Sequence, residues 1–293
     1  MPATKKYLYS ITDDQNHPAA KISAWIDGGQ SVLEVGCASG VQTRYFKEQL
    51  GCRVTGIEID PQAAEDARPY CDQLIIGNIE NINLDQAIGD ERFDAITFAD
   101  VLEHLYFPVV ALKKVRPFLK EGGHLIASIP NIAHAAICWE LAHGRFDYQK
   151  YGLLDNTHIR FFTKKNVARL FEEAGYRIVS WERVIKTPQE TEFRVHYGSS
   201  QDQLMMDWIA QQNPEANTYQ FIIKATPVKD ELMAPSFQQL ESLDVIQQLE
   251  ARVGELKMQN MHLNSQISWL ESNRFGPLTP LLSKLQNKLK KIN

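Results

Sequence analysis

The sequence predicts an α/β fold: a mostly parallel sheet covered by helices on both faces, followed by an α-helical coiled coil. Three observations carry this expectation. Short β-rich runs alternate with helical stretches up to about residue 225. Runs such as Ala95-Ile96-Thr97-Phe98 are continuous rather than alternating, as strands buried on both faces require. From Leu243 onward the apolar spacing becomes heptad.

The expected strands are 31–35, 53–59, 73–76, 93–98, 124–129, 177–185 and 219–225, about seven in all. Helices are expected over 41–50 and 61–70, in the gaps between the first three strands. A later helix over 163–174 has Thr163 as its N-cap and Gly175 as a left-handed stop. Residues 1–29 read as a helical or loop segment, 30–226 as the α/β domain and 227–242, with Pro227 and Pro235, as a linker.

Residues 243–272 read as the coiled coil. Ile246, Val253, Asn260 and Ile267 fall on one seam position, and Leu249, Leu256, Leu263 and Leu270 on the other. β-Branched residues at a with Leu at d suit a parallel homodimer, and Asn260 suits register selection. Residues 273–293 form a basic tail, with Leu281, Leu282, Leu285, Leu289 and Ile292 at helical spacing among Lys284, Lys288, Lys290 and Lys291. Such a segment can lie on an anionic membrane surface; the plainer reading is a solvated terminus.

Composition narrows the function classes. The 293 residues are 44% hydrophobic and 23% charged, so a sizeable core is available. A net charge of −5 argues against a nucleic-acid partner. No long uncharged apolar stretch and no signal-like N-terminus occur, so the expected location is cytoplasmic. Cys37, Cys52, Cys71 and Cys138 lack paired metal spacing and read as reduced thiols, with no metal expected.

The most informative segment is Val32-Leu33-Glu34-Val35-Gly36-Cys37-Ala38-Ser39-Gly40, an apolar strand entering a small-residue loop before a helix. Gly36 and Gly40 allow a sharp turn and close approach to a ligand, at the end of a strand where open α/β sheets bind one. Glu58 lies 22 residues past Gly36, where a carboxylate can accept both hydroxyls of a ribose. These features predict a nucleoside-containing cofactor. The loop lacks the Gly-x-Gly-x-x-Gly spacing of dinucleotide sites, and no phosphate-binding lysine follows.

With these residues in view, the chain resembles the class I S-adenosylmethionine-dependent methyltransferases over roughly residues 30–225. Val32–Gly40 is similar to their first motif, Gly56–Asp60 to the second and Gly77-Asn78-Ile79-Glu80 to the third. Phe93–Leu105 is similar to the fourth, and Leu119–Leu125 to their entry into strand five. The resemblance implies a Rossmann-like three-layer sheet whose last strand is antiparallel, and S-adenosyl-L-methionine as cofactor. By the same resemblance, Gly36, Cys37 and Gly40 would wrap the methionine end and Glu34 would orient its ammonium group. Glu58 would hold the ribose and Ile59 would pack on adenine. Asn78 with the backbone of Ile79 would address the adenine amino group. Ala99 and Asp100 would line the amino-acid end. Ala38 stands where glycine is common and Asn78 where aspartate is common.

Methyl transfer to a hydroxyl needs its proton removed, which is work for a His or a carboxylate. Candidates follow strands four and five: His104 in Asp100-Val101-Leu102-Glu103-His104, and His134 in Pro130-Asn131-Ile132-Ala133-His134. His158 and Asp155 lie in a lid-like segment dense in aromatic and ionisable residues, with Asp155 as an orienter and Arg160 pairing with Asp155 or Glu103. That segment, Leu154-Asp155-Asn156-Thr157-His158-Ile159-Arg160-Phe161-Phe162-Thr163, resembles a subfamily found beside bacterial glycosyltransferases. The resemblance implies O-methylation of a sugar in a surface polysaccharide or lipid-linked saccharide, with Trp139, Tyr148 and Tyr151 as stacking surfaces. The coil and tail would then hold the enzyme near glycosyltransferases at the inner membrane face. Two alternatives stay open: a small aromatic or quinone-type acceptor, or a cofactor-binding coiled-coil scaffold without turnover.

Overall fold

The computed structural model describes residues 14–193 and 200–228, together with residue 264. The chain divides into two units, Met1–Leu232 and Met233–Asn293. The expected coiled coil apart from residue 264, the basic tail and all but the start of the linker lie outside the described residues, so the fold concerns the first unit.

Helix α1 (Pro18–Ser23) leads into β1 (Ser31–Val35), α2 (Val41–Glu48), β2 (Arg53–Glu58), α3 (Pro61–Ala67), β3 (Gln73–Ile76), α4 (Leu84–Ile88) and β4 (Phe93–Ala99). There follow α5 (Pro108–Val115), β5 (Leu119–Pro130), α6 (Ala135–Ala142), α7 (Lys164–Glu173), β6 (Tyr176–Ile185), α8 (Ser200–Gln212) and β7 (Thr218–Pro227). One seven-stranded sheet results, in the order β3-β2-β1-β4-β5-β7-β6. The pairs β1–β2, β2–β3, β1–β4 and β4–β5 are parallel, whereas β7 runs antiparallel to both β5 and β6. The last strand among the described residues is thus inserted between the fifth and the sixth. β5 is longer than its apolar stretch suggests, because its first half, exposed at Lys120–Gly122, is extended by pairing at Phe93–Leu119.

The core explains the continuous runs. Every residue of β1 is buried, as are Ala95 to Phe98 of β4 and Leu125 to Ile129 of β5. One apolar layer joins β1, β4 and β5 to α5 and α7 through Leu33, Ile96, Phe98, Leu112, Val167 and Phe171. A second, on the other face, joins Val32, Val54, Ile126 and Ile222 to Ile22 and Phe46. α7 starts at Thr163, whose side chain and that of Asn166 cap each other's backbone N–H groups, and it stops before Gly175 at φ +80°. Among the described residues no helix is long and apolar enough to cross a membrane.

β1 pairs with β2 on one side and β4 on the other, while the chain passes through β2 and β3 before returning to β4. The strand order therefore reverses at β1. Loops diverge there at the carboxyl ends of the strands and leave a crevice between them.

Candidate active site

The loop after β1 is built by backbone constraints. Gly36 and Gly40 have φ of +76° and +79°, and the N–H groups of Gly36 and Cys37 both donate to Ile57 O, at 2.8 and 3.2 Å. A Cβ on Gly36 would stand 2.5 Å from Val101 Cγ2. Ala38 holds φ +47°, a left-handed conformation that costs a residue with a Cβ about 1–2 kcal/mol. Glu58 ties this loop to the next: Oε2 accepts from Ala38 N at 2.7 Å and Oε1 from Asp60 N at 2.9 Å.

These loops border a cavity of about 870 Å³ at the carboxyl ends of β1, β2 and β4. Glu34, Gly36 and Cys37 line it from the first strand and its loop, Glu58 and Ile59 from the second. Asn78, Ile79, Ala99 and Asp100 complete that side. Glu34 is buried and accepts from Thr43 Oγ1 at 2.7 Å; burial outweighs that bond and pushes its carboxyl up to about 8. Asn78 Oδ1 accepts from Glu80 N at 2.8 Å, and Ile59 is exposed at the cavity. Asp100 has φ +54°, and its Oδ1 accepts from Ser128 Oγ at 2.7 Å and Gln220 Nε2 at 2.8 Å, so β5 and β7 brace it. Gly40 lies outside the cavity wall. A Cβ there would meet Ala67 Cα at 2.7 Å, so its role is the packing of α2 against α3.

Two lining residues escaped the sequence reading. Ser39 Oγ and Gln42 Nε2 are buried beside the cavity without a hydrogen-bond partner. Buried polar atoms are rarely left unpaired, so these suit a ligand's polar end. Carboxyls at 34 and 58, unpaired polar groups at 39 and 42 and a loop without room for a Cβ at 36 together fit an aminoacyl nucleoside.

The candidate proton acceptors separate. His104, Asp155 and His158 line the same cavity as the cofactor-side residues. His134 does not. It is fully buried, with Nδ1 accepting from Ala136 N at 3.2 Å as the cap of α6 and Nε2 2.9 Å from Lys186 O. Both ring nitrogens are spent on backbone, and burial lowers its basicity, which corrects the expectation of a catalytic base there. Asp155 Oδ1 accepts from the N–H and hydroxyl of Thr157, at 2.9 and 2.6 Å, and so shapes the loop that carries His158. Arg160 pairs with neither expected carboxylate; its Nη2 donates to Tyr106 O at 2.6 Å. Trp139 is buried at 5% exposure and offers no stacking face, whereas Tyr148 and Tyr151 are 58% and 62% exposed.

Glu103, His104 and His158 come together, their potential ligand atoms all within 4.8 Å of one another. Glu103 and His104 sit on a 3-10 turn, Leu102–His104, directly after β4. His158 comes from the lid segment, which is stitched to that turn where the N–H groups of Ile159 and Arg160 donate to Glu103 O at 3.0 and 2.9 Å.

Residues 14–181 match the family described as methyltransferase domain. The chain belongs to that family. Among curated proteins it is similar to the ubiquinone biosynthesis O-methyltransferase of Coxiella burnetii, 23% identical over 167 residues, which cover 56% of this chain and 71% of that protein. The enzyme of the same name from Alkalilimnicola ehrlichii is 33% identical over 106 residues, covering 35% and 42% of the two chains. Among solved structures, a SAM-dependent methyltransferase from Archaeoglobus fulgidus has a TM-score of 0.51 at 16% identity, covering 71% of this chain and 91% of that one. The protein is thus a methyltransferase, and the residues that line its strand-end cavity suit an aminoacyl nucleoside.

Proposed function

We propose that this methyltransferase methylates oxygen, on a hydroxyl of a small phenolic, quinol-type acceptor. The observation that carries the reading is the placement of His104 and His158 in the same cavity as the cofactor-side residues. When bound, S-adenosylmethionine supplies an electrophilic methyl group on a sulfonium centre. Glu34 and Glu58, with Ser39 and Gln42, would hold that group at the ends of β1 and β2. His104 Nδ1 lies 3.1 Å from Thr157 O and His158 Nδ1 3.3 Å from Leu153 O. A carbonyl only accepts, so each ring donates to it through Nδ1. A neutral imidazole held in this way can take the proton of an acceptor hydroxyl through Nε2. Tyr106 and Tyr151 line the cavity and are largely exposed, which supplies aromatic surface for a ring-shaped acceptor. Similarity to ubiquinone-pathway O-methyltransferases supports the phenolic choice.

A saccharide hydroxyl is the second reading, favoured by the open face of Tyr151 at the cavity. In either case the heptads and basic tail of residues 243–293 would pair two copies and hold them at a membrane face or beside partner enzymes. The test is transfer from labelled S-adenosylmethionine to a panel of catechols, hydroquinones and saccharides. The expected result is labelled phenolic ether, reduced by roughly 100-fold or more in His158→Ala with cofactor affinity retained. Label entering saccharides alone overturns the phenolic acceptor, and cofactor binding without transfer to any of them overturns turnover itself.

A further inference from the structure

Two of the four cysteines share one hollow in the sheet. Cys37 follows β1 in the loop that lines the cavity, and Cys71 lies just ahead of β3; β2 runs between those two strands. Gly56 of β2 is what lets them meet. It has no side chain, and a Cβ there would stand 2.9 Å from Cys71 Sγ and 3.0 Å from Cys37 Sγ. Both sulfurs therefore fill the space that any other residue at 56 would take. Cys52 and Cys138 sit otherwise, their Sγ atoms turned to the backbone oxygens of Asp27 and Ala133 at 3.6 and 3.7 Å.

The pair is chemically unequal. Cys37 is 4% exposed and hydrogen-bonds to Cys71; that bond, burial and the carboxyls of Glu34 and Glu58 push its thiol up. Cys71 is half-buried, and hydrogen bonding by Cys37 lowers its thiol, with help from the Gly56 backbone and against burial. The thiolate is the form that peroxides oxidise, and a partly exposed one beside a second, protonated thiol has its resolving partner in place.

We propose that Cys37 and Cys71 are a reversible oxidation site, at which hydrogen peroxide joins the two thiols in a disulfide that draws the loop after β1 off its cofactor-binding position. The Cys71 thiolate attacks one peroxide oxygen; the S–O bond forms, the O–O bond breaks and hydroxide leaves, taking up a proton to become water. Cys37 then attacks the sulfenic sulfur; the S–S bond forms, the S–O bond breaks and the departing hydroxide takes the Cys37 proton as a second water. Two electrons pass from the sulfurs to the peroxide. A disulfide holds its sulfurs about 2.05 Å apart, well inside hydrogen-bonding contact, so closing it pulls on the backbone at Cys37. That backbone has little freedom: Cys37 N donates to Ile57 O at 3.2 Å and Ala38 N to Glu58 Oε2 at 2.7 Å. The pull therefore falls on residues 36–38 and on Glu58, all of which line the cavity. The effect on binding rests on reading this cavity as the S-adenosylmethionine site; the bridge itself does not.

The test treats the full chain, first reduced, with a small excess of hydrogen peroxide and then alkylates the remaining thiols. Peptide mass mapping should show Cys37 and Cys71 joined with the loss of two hydrogens, and Cys52 and Cys138 alkylated. Calorimetry with S-adenosylhomocysteine should show binding weakened about tenfold or more in the oxidised protein and restored by dithiothreitol. Cys71→Ser should bind that compound as the reduced wild type does and lose no affinity on peroxide treatment. Far-UV dichroism checks that the variant is folded, and the wild-type peptide map stands without it. Cys71 recovered as sulfinic acid, with Cys37 still a free thiol, overturns the pair. A Cys37–Cys71 bridge with unchanged affinity overturns its control of the loop. Reduced protein that binds no S-adenosylhomocysteine refutes the cofactor reading and with it the effect on binding, whereas linked peptides still establish the bridge.

Discussion

Gly36 has no room for a side chain and no conformation that would suit one. Gly36→Ala sets a Cβ against the stiff Val101 side chain and forces φ +76° on an L residue. The expected outcome is a loss of about 1–3 kcal/mol in stability, with at least a roughly tenfold rise in the cofactor's Kd as the loop shifts; denaturant unfolding and calorimetry check both. Glu34 makes a pH prediction. Its folded carboxyl titrates near 8 against an ordinary value near 4.5, so between those limits the native state holds the proton that the unfolded state has lost. Its contribution to stability is therefore complete below about pH 4.5 and is lost as pH rises through about 8. Glu34→Gln should flatten this part of the stability profile. A cationic cofactor group beside Glu34 favours the carboxylate, so cofactor binding near pH 7 should release a proton, seen as binding heats that vary with the ionisation enthalpy of the buffer. Equal heats in all buffers would refute that assignment.

At the scale of the element, α6 is held at its start by His134. The ring caps the helix through Nδ1 and reaches Lys186 O, just past the end of β6, through Nε2. His134→Ala should lower stability by about 1–3 kcal/mol while cofactor affinity and kcat remain within about twofold of wild type. A roughly 100-fold loss of kcat in the folded variant would restore it as a catalytic group. α7 shows the opposite relation between sequence and structure. Its cap at Thr163 and its stop at Gly175 were legible because capping chemistry acts over three or four residues. α8 was not legible. Leu204 and Trp208 are exposed, and the helix has no clean apolar stripe for a periodicity argument to find.

Across the molecule, the antiparallel half is tied together by Glu215. Its carboxylate takes Arg183 Nε at 2.7 Å from β6, Lys164 at 2.6 Å from α7 and the Thr218 hydroxyl at 2.7 Å from β7. Arg183, the first of these, with Lys164 and Thr218, holds the Glu215 carboxyl down at about 2. A lowered carboxyl contributes stability that is present above about pH 4.5 and is lost as pH falls toward 2. Glu215→Gln should therefore cost about 1–3 kcal/mol at pH 7, and much less at pH 2.5. The variant's acid-unfolding curve should be correspondingly shallower; an unchanged loss at both pH values would assign the effect to packing.

The sequence by itself determined what depends on near neighbours. The alternation of strands and helices, the glycine turn after β1 and the carboxyls at 34 and 58 all belong to segments whose spacing is local. Such signals survive without knowledge of the fold, because strand burial, turn geometry and capping act within a few residues. Tertiary structure alone decided which chemistry-bearing side chains meet. His104 finds its carbonyl partner on Thr157, 53 residues away, and Glu103 gains His158 only because the lid folds back over the end of β4. His134 shares the residue type and loop setting of those histidines, yet β7, inserted beside β5, and the chain beyond β6 bury it. Whether an imidazole titrates, ligates or caps a helix is set by solvent access and by the partners of each ring nitrogen, and both are properties of contacts distant in the chain.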